Sequence, residues 1–484
     1  MERAEAEAVY DSGRERCVQF ILDLAAIVEQ HGDRLKRLEE HARQDSRTSS
    51  KPPSSDPPKS RAQRRAEARA KAKELMRGER EQRQAGGQPG HQGAGRELKP
   101  EDQVDEIVDH YPEECGGCGT RFDDRQCRPG GRFGRHQVAE LPPISVTFTE
   151  HRTHQLRCRY CRARTSASLP AEVACSAFGP RLQAALVTLT AAYRVSRRGI
   201  TEIARDLFGV RLSTGAADAI CQRASDALAG PHLHLQDWVL QQGAVHVDET
   251  GWQTRGEGRA LWTATTPDAV FLQIAEHCNR EQFNKLIGTG YPGIVISDRW
   301  NGYSHLDPER RQACWSHIQR DFARHADGLA EQKTFGEHGV ALTRQVFAAW
   351  RNFQHDHNRE QLAAEIAPIQ TELRQLLEQA SPKSRRTRWH RQFANNLLKI
   401  WPALWTFVTI DGIEPTNNPA ERALRAPVIH RKISLGSQSE NGERFAERAL
   451  TAAGTCRLQH RSLFNYLGDL ITSHNRGDPL PALA

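Results

Sequence analysis

The sequence predicts a multidomain α/β protein whose catalytic core is split by a helical insertion. The chain has 484 residues, too many for one ordinary hydrophobic core. Strand and helix patterns alternate from residue 244 onward, and a long helical stretch, from about Gln332 to Val408, separates those strands from an acidic segment around Glu421. Two closely spaced cysteine pairs further predict a small zinc-binding module before the core.

The first part of the chain divides into a helix and a polar tract. Residues 1–45 contain apolar side chains at a heptad spacing, namely Ile21, Leu24, Val28, Leu35 and Leu38. This spacing favours a coiled coil that joins copies of the chain, and the alternative is an amphipathic helix packed on its own domain. Residues 46–103 then read as a Pro- and Ser-rich linker with a basic segment.

The basic segment is a candidate contact for nucleic acid. Between Lys59 and Arg83 there are ten Lys and Arg residues against four Glu residues. Such a concentration of positive charge suits phosphate binding, although a solvated linker has the same composition. The candidate DNA-binding residues are Arg64, Arg65, Arg69, Lys71 and Lys73.

The composition argues against secretion and against a membrane protein. The chain begins with an acidic, polar segment that is unlike a secretory signal, and its most apolar helical stretch, Leu182 to Tyr193, is too short to cross a bilayer. The 11 cysteines have no regular disulfide-like spacing. We therefore expect a cytoplasmic protein with no membrane partner, in which paired cysteines bind metal rather than form disulfides.

Two CxxC pairs predict a structural zinc site in residues 104–175. The pairs are Cys115–Cys118 and Cys158–Cys161, and glycines at 116, 117 and 119 allow the first to turn tightly. Four thiolates are a complete ligand set for tetrahedral zinc. The alternative is two unrelated thiol pairs.

Residues 176–240 are predicted to form a helical DNA-binding domain. The segment from Ile200 to Ala217 reads as helix, glycine turn and helix, with Gly209 in the turn and Ser213 or Thr214 as the cap of the second helix. This pattern is that of a helix-turn-helix. An ordinary helical hairpin explains it equally well.

From residue 244 the elements follow the order of a ribonuclease-H-like fold. The order is strand, strand, strand, helix, strand, helix, strand. The predicted elements are strands at Ala244–Asp248, Ala260–Thr266, Ala269–Ile274, Gly293–Asp298 and Gln312–Ser316, with helices at Glu281–Ile287 and from near His317. The core is accordingly divided into a first part at 241–330, a helical insertion at 331–410, a second part at 411–456 and a C-terminal tail at 457–484.

Three acidic residues are candidate ligands for catalytic magnesium or manganese. Asp248 and Asp298 end buried strands, where an isolated charge is costly unless it binds something. Glu421 follows an Asn417–Asn418 cap, in the first turn of a helix. Two metal ions held by such a triad can drive phosphoryl transfer. Strand-end Asp residues also cap loops, and three later acids compete with Glu421 for the third position: Glu440, Glu443 and Glu447.

Four further residues are candidates for active-site support. Cys314 and His317 form a CxxH segment, which is too small to complete a metal site by itself. Arg422 and Arg425 flank Glu421 and suit phosphate binding, but pairing with Glu414, Glu440 or Glu443 is the alternative.

Taken together, these segments resemble the transposases of the insertion sequence 66 family, a DDE-type bacterial group. The resemblance includes the tract Ser49–Asp56, Gly86–His91, the CxxC pairs, His246–Trp252, Cys314–His317 and Asn417–Arg422. It implies a DDE triad at Asp248, Asp298 and Glu421, and it makes the helical stretch similar to the insertion domain of DDE enzymes. It also implies accessory proteins from the same mobile element as partners.

The leading hypothesis is therefore a DNA transposase that binds the ends of its mobile element and cuts and joins DNA with two metal ions. DNA, further copies of the same chain and accessory proteins are its expected partners, with association with the bacterial nucleoid when DNA is bound. The alternatives are a nuclease of the same fold and a zinc-containing DNA-binding protein derived from a transposase. A strand-transfer assay separates the three.

Overall fold

The computed structural model describes residues 97–122, 134–328, 330–380 and 388–484, together with positions 13, 18 and 19. The predicted coiled coil at 1–45, apart from those three positions, and the candidate DNA-binding residues Arg64, Arg65, Arg69, Lys71 and Lys73 lie outside the described residues. The chain divides into two compact units, one of residues Pro57–Ser145 and one of Met1–Asp56 with Val146–Ala484.

The smaller unit has little regular structure in its described residues. A single 3₁₀ turn covers Glu101–Gln103. Glu114 and Arg121 form an isolated antiparallel bridge around the first cysteine pair. The Lys99 carbonyl oxygen accepts hydrogen bonds from the side chains of Arg135 and Gln137, both at 2.9 Å. The chain on either side of the cysteine pair is thus brought together by polar contacts.

The larger unit contains seven strands and fourteen helices among its described residues. The strands are β1 (Gln155–Arg157), β2 (Arg164–Ser166), β3 (Ala244–Thr254), β4 (Glu257–Thr265), β5 (Val270–Ala275), β6 (Ile294–Ser297) and β7 (Arg311–Ala313). The helices are α1 (Ala171–Ala174), α2 (Pro180–Ala191), α3 (Arg197–Phe208), α4 (Thr214–Ala227), α5 (Ala229–Leu240), α6 (Arg280–Ile287), α7 (Trp315–Ala326), α8 (Ala330–Asp356), α9 (Arg359–Ala380), α10 (Arg388–Lys399), α11 (Thr406–Thr409), α12 (Asn418–Ser434), α13 (Glu440–Leu458) and α14 (Leu463–Arg476).

Helices α3 and α4 form the predicted helix, glycine turn and helix. Gly209 ends α3 with a φ of 64°, a left-handed conformation that glycine adopts without steric cost. The Ser213 side chain then caps α4 by accepting a hydrogen bond from the Ala216 backbone N–H. Of the two predicted cap residues, Ser213 is therefore the cap and Thr214 is the first helical residue.

The five-stranded sheet has the order β5-β4-β3-β6-β7. Strands β3, β4 and β5 pair antiparallel, whereas β6 is parallel to β3 and β7 is parallel to β6. Strand β3 is longer than predicted and runs to Thr254, because its pairing with β4 continues through the pair Thr254 and Glu257. Arg255 and Gly256, with φ values of 53° and 82°, make the two-residue turn between them.

The two faces of the sheet pack into three hydrophobic clusters, one of which joins Trp252, Leu261 and Leu272 to α12 and α13. Val245, Val247 and Trp262 pack with the helices that precede the sheet and with α13 and α14. Ile294 and Ile296 pack on the opposite side with α7 and the insertion helices. The helical region predicted as a separate domain at 176–240 therefore shares one continuous core with a face of the sheet.

The segment predicted as a C-terminal tail contributes to that core. Leu467 and Leu470 of α14 are buried with Ala184 and Leu186 of α2. The amphipathic pattern of 463–476 accounts for this packing, since its apolar residues recur at helical spacing. The C-terminal helix thus belongs to the helical layer rather than to an unattached tail.

The outer edge of β5 is covered by side chains of α13. The backbone N–H groups of Val270, Leu272 and Ile274 donate to Thr455 Oγ1, Thr451 Oγ1 and Glu447 Oε1 at 3.1, 3.0 and 2.5 Å. Four helical residues rise about 6 Å and two strand residues about 6.7 Å, so the two spacings match. Helix α13 therefore satisfies a strand edge that would otherwise be open to pairing with another chain.

Candidate active site

The first two acids of the predicted triad follow neighbouring parallel strands. The last registered pair of β3 and β6 is His246 with Ile296, and Asp248 and Asp298 each stand two residues beyond it. Because side chains repeat every two residues along a strand, Asp248 keeps the orientation of His246. The sheet thus places the two carboxylates next to each other where the parallel pairing ends.

The third acid of the predicted triad belongs to helix α12. Glu421 lies in its first turn, and Asn417 precedes the helix as the N-cap residue. The helix packs along β3, where Arg431 Nη1 lies 3.5 Å from Thr250 Oγ1 and the rings of Trp252 and His430 stack at 6.3 Å. The negative charge of Glu421 contributes to raising the pKa of Asp248.

The acids of this carboxylate cluster are close enough for their charges to raise the pKa of Asp248. Burial raises the pKa of Asp248 well above its usual range, and the charges of Glu249, Asp298 and Glu421 raise it further. Burial also raises the pKa of Asp298. The hydrogen bond from the Trp300 N–H, at 2.8 Å, and the positive charges of nearby arginines lower that pKa and so oppose the effect of burial. A cluster of acids that repel one another in a partly buried site is stabilised by bound cations.

Glu249 is a fourth acid of this cluster, which sequence reasoning did not select. The Tyr303 hydroxyl donates to Glu249 Oε2 at 2.5 Å. Burial and the charge of Asp298 raise the pKa of Glu249 to about 8. Its position directly after Asp248 was the available signal, but the sequence does not show that Tyr303 folds back over it.

Arginine and histidine side chains surround the acids. Arg320 Nη2 lies 3.3 Å and His317 Nδ1 lies 3.6 Å from Glu421 Oε1. Arg311 Nη2 donates to the Asp298 backbone carbonyl oxygen at 2.5 Å. Arg299 forms an ion pair with Asp321 beside the cluster. The three arginines offset part of the negative charge that the four acids concentrate.

The CxxH segment is brought to Glu421. Ligand atoms of Cys314, His317 and Glu421 all lie within 4.8 Å of one another. Cys314 is fully buried, and its Sγ accepts a hydrogen bond from the Asn417 backbone N–H at 3.1 Å. Burial lowers the pKa of His317 to about 3, so its ring is neutral at physiological pH. The sequence predicted Glu421 as an acid of the triad, but its closeness to Cys314 and His317 was not predicted because it lies far from them along the chain.

Arg422 and Arg425 lie exposed on α12, just after Glu421. Two of the acids considered as their partners pair elsewhere: Glu440 with Arg444 at 3.6 Å, and Glu443 with Arg259 at 3.6 Å. The two guanidinium groups are accessible to a ligand that approaches this end of the helix.

The acids that compete with Glu421 for the third triad position have other contacts. Glu443 accepts a hydrogen bond from the Thr254 hydroxyl, at the turn end of the β3–β4 hairpin. Glu447 accepts from the Ile274 backbone N–H on the edge strand. Both therefore hold α13 on the sheet, whereas Glu421 acts on Asp248 electrostatically.

The two cysteine pairs have the same backbone turn. Gly119 N–H donates to the Cys115 carbonyl at 2.8 Å, and Arg162 N–H donates to the Cys158 carbonyl at 2.9 Å. Gly119 and Arg162 adopt the left-handed backbone conformation, with φ values of 72° and 62°. Hydrogen bonds lower the pKa of Cys118, mainly through Thr120, and of Cys158, mainly through the Cys161 backbone. Each pair thus forms a knuckle that directs two thiols outward.

Comparison with known proteins identifies the family. The family described as "Transposase IS66 family" matches residues 175–444, more than half of the chain. The chain belongs to the IS66 transposase family. Residues 1–97 match a further family of unknown function, DUF6444.

Two proteins of Sinorhizobium fredii (strain NBRC 101917 / NGR234) are similar to this IS66-family chain. The uncharacterized protein y4qI is 26% identical over 287 residues, which cover 51% of the chain and 51% of y4qI. The uncharacterized protein y4hP is 23% identical over 419 residues, or 78% of the chain and 73% of y4hP. The chain thus spans about half the length of y4qI. Among the described helices of the IS66-family chain, none is long and apolar enough to cross a membrane.

Proposed function

We propose that the chain is a DNA transposase that binds the ends of its mobile element and catalyses DNA cleavage and strand transfer by a two-metal DDE mechanism. The proposal is supported by two observations: Asp248 and Asp298 stand just beyond the parallel strand pair, and the charge of Glu421, from a distant segment, raises the pKa of Asp248. Family membership supplies the class of reaction.

The sheet supports a ribonuclease-H-like core. Three antiparallel strands followed by two parallel ones, in the order β5-β4-β3-β6-β7, fit the predicted order of elements. In that arrangement the first acid lies on the central strand, the second follows the neighbouring parallel strand, and the third comes from a helix beyond the insertion. The insertion helices α8–α10 stand between the second acid and the third.

The donor set fits magnesium or manganese. Carboxylate oxygens are the ligands these ions prefer, and the raised pKa values of Asp248 and Asp298 indicate that their ionised forms would be stabilised by a cation. Cys314 suits a softer ion, but burial raises the pKa of its thiol to about 11, and its sulfur accepts a backbone N–H. We therefore assign the magnesium or manganese to the three acids.

Bound in this way, the ions would activate a water or a 3′-hydroxyl and stabilise the leaving oxygen of the phosphodiester. The protein's own groups would place the DNA. Exposed Arg422 and Arg425 are suited to bind phosphate oxygens beside Glu421. The α3–α4 pair is suited to recognise the base sequence of the element end. The four knuckle cysteines would hold a structural zinc ion, since thiolates on such turns are typical zinc ligands.

A strand-transfer assay with labelled element ends tests the proposal. The donor DNA carries the terminal inverted repeats expected on either side of the gene, and a supercoiled plasmid provides the target. A transposase joins the labelled end to the plasmid, whereas a nuclease of the same fold cuts the end without joining it. Binding without either reaction would indicate a DNA-binding protein and would contradict the proposal.

A further inference from the structure

The buried Asn417 side chain joins the segments that carry the candidate active site. Its Nδ2 donates to the Val247 carbonyl at 2.8 Å, and its Oδ1 lies 3.2 Å from His246 Nδ1. Its backbone N–H donates to Cys314 Sγ at 3.1 Å. One fully buried residue thus contacts the strand of Asp248 and the start of α7, and itself begins the helix of Glu421.

The side chain does not serve the usual purpose of an asparagine at this position. An N-cap asparagine normally accepts a hydrogen bond from its own helix, which contributes about 1 kcal/mol. Asn279 does so at the start of α6, where its Oδ1 accepts from the Gln282 N–H at 3.0 Å. Asn417 makes no such bond with α12, contrary to the cap predicted from the sequence. Its amide is directed across to β3 instead.

The hydrogen bonds of Asn417 show which donor and acceptor groups the side chain at position 417 must supply. Because Nδ2 donates to the Val247 carbonyl, Oδ1 faces His246, whose Nδ1 must then carry a hydrogen. An aspartate at 417 would direct a carboxylate oxygen at the Val247 carbonyl and lose the donor. Asparagine satisfies both partners and aspartate satisfies only one.

Asn417 lies one helical turn before Glu421. The Glu421 backbone N–H donates to the Asn417 carbonyl at 3.2 Å, the first hydrogen bond of that turn. Residues four apart share a face of a helix. The preceding chain is fixed as well, since the Trp315 N–H donates to the Pro415 carbonyl at 2.9 Å. The bond from Asn417 to Val247, the residue before Asp248, therefore ties the first turn of α12 to the strand of the first acid.

We propose that Asn417 is a positioning residue that fixes Glu421 relative to Asp248 and thereby sets the affinity of the triad for divalent cations. The inference rests on the proposed two-metal function of that triad. A metal site gains affinity when its ligands are already in place, and residues that orient ligands without touching the ion change affinity by about 10- to 100-fold.

Manganese binding to the full chain tests the proposal. Mn²⁺ affinity is measured by electron paramagnetic resonance or calorimetry for the wild type, Asn417→Asp and Asn417→Ala, with Asn418→Ala as the matched control. We expect Mn²⁺ binding to weaken about 10-fold in both Asn417 variants and not in the control. Cleavage of an element end should need more Mn²⁺ to reach half its maximal rate, and saturating Mn²⁺ should restore most of that rate. Binding of the element end should be unchanged.

Two outcomes would overturn the positioning role. One is wild-type Mn²⁺ affinity in Asn417→Asp, and the other is a loss of cleavage that saturating Mn²⁺ does not restore. Thermal unfolding shows whether each variant folds. If the Asn417 variants do not fold, His246→Phe keeps a ring of similar size and removes only the 3.2 Å hydrogen bond. It should weaken Mn²⁺ binding in the same direction, and unchanged affinity would contradict the proposal.

Failure of the proposed function gives a different result. If Asp248→Asn binds Mn²⁺ as the wild type does, the triad is not the metal site, whatever Asn417 does. If Asp248→Asn loses Mn²⁺ binding while the Asn417 variants keep it, the triad stands and only the positioning role fails.

Discussion

Asn417 donates its side-chain amide to the carbonyl of Val247, the residue that immediately precedes Asp248. Pairing between β3 and β6 ends one residue earlier, at His246. The Asn417 side chain therefore binds the β3 backbone just beyond the last residue that pairs with β6. Through this bond the fold connects the first and third acids of the candidate triad, which are far apart in sequence.

The structure predicts different effects for Glu421 and for Glu443, one of the three acids that compete with it for the third position. Glu421→Gln should abolish cleavage with little loss of stability, because the helix keeps its position. Glu443→Gln should retain cleavage and lower the free energy of unfolding by about 1 kcal/mol, since it weakens the contacts with Thr254 and Arg259. Cleavage and denaturant unfolding of the two purified variants measure this difference. Full activity in Glu421→Gln, with loss in Glu443→Gln, would move the third acid to α13.

Glu447 should make stability depend on pH. Burial raises the pKa of Glu447 to about 7, from a model-compound value of 4.5. The folded state therefore holds this proton more tightly than the unfolded state, so the stabilisation is complete below about pH 4.5 and is lost as pH rises through about 7. Glu447→Gln keeps an acceptor for the Ile274 N–H and removes the titration.

The prediction is that the unfolding midpoint of Glu447→Gln falls less steeply than that of the wild type between pH 5 and about 7.5. Thermal unfolding across this range measures both slopes, and the exposed Glu440→Gln serves as a control with an unchanged slope. Parallel curves for the wild type and Glu447→Gln would contradict the assignment.

The knuckle cysteines should bind about one zinc ion per chain. Elemental analysis of the purified wild type, compared with a Cys115→Ser/Cys158→Ser variant, measures this. The variant should lose the zinc and bind DNA more weakly, while thermal unfolding of the catalytic region stays the same. A Cys175→Ser variant, which alters an exposed cysteine outside the pairs, should keep its zinc. Equal zinc in the double variant and the wild type would refute the site.

The heptad pattern at Ile21, Leu24, Val28, Leu35 and Leu38 predicts self-association through residues 1–45. Deleting these residues should lower the molar mass measured by light scattering, because the apolar seam that joins the chains is gone. Residues 1–97 also match a family of their own, apart from the IS66 match at 175–444. An unchanged mass after the deletion would mean that this helix packs within its own chain.

Sequence patterns predicted the strands and the acids that follow them, because a buried strand is visible in the sequence as a short run of apolar residues. Buried strands such as Ile294–Ser297 are mostly apolar, so the acid after the strand stands out. The full length of β3 was missed because its second half, from Glu249 to Thr254, does not alternate between apolar and polar residues. The Arg255–Gly256 pair was the local sign of a turn there.

Relationships across the chain could not be predicted in the same way. The approach of His317 to Glu421, the use of Glu447 on an edge strand and the contact of Asn417 with Val247 depend on how helices dock on the sheet. For Asn417 the local rule pointed to a helix cap, and the buried carbonyl of β3 is satisfied instead. Tertiary context therefore decided the function of this side chain.

In the proposed mechanism, Asp248, Asp298 and Glu421 together hold the catalytic ions. The most direct measurement compares cleavage and strand transfer by the wild type with those by Asp248→Asn, Asp298→Asn and Glu421→Gln, on labelled element ends in Mg²⁺ and in Mn²⁺. These substitutions keep side-chain size and remove one ligand charge each. Each variant should bind the element end as the wild type does and should neither cut nor join it in Mg²⁺. If all three variants still cut and join DNA, the two-metal triad is contradicted.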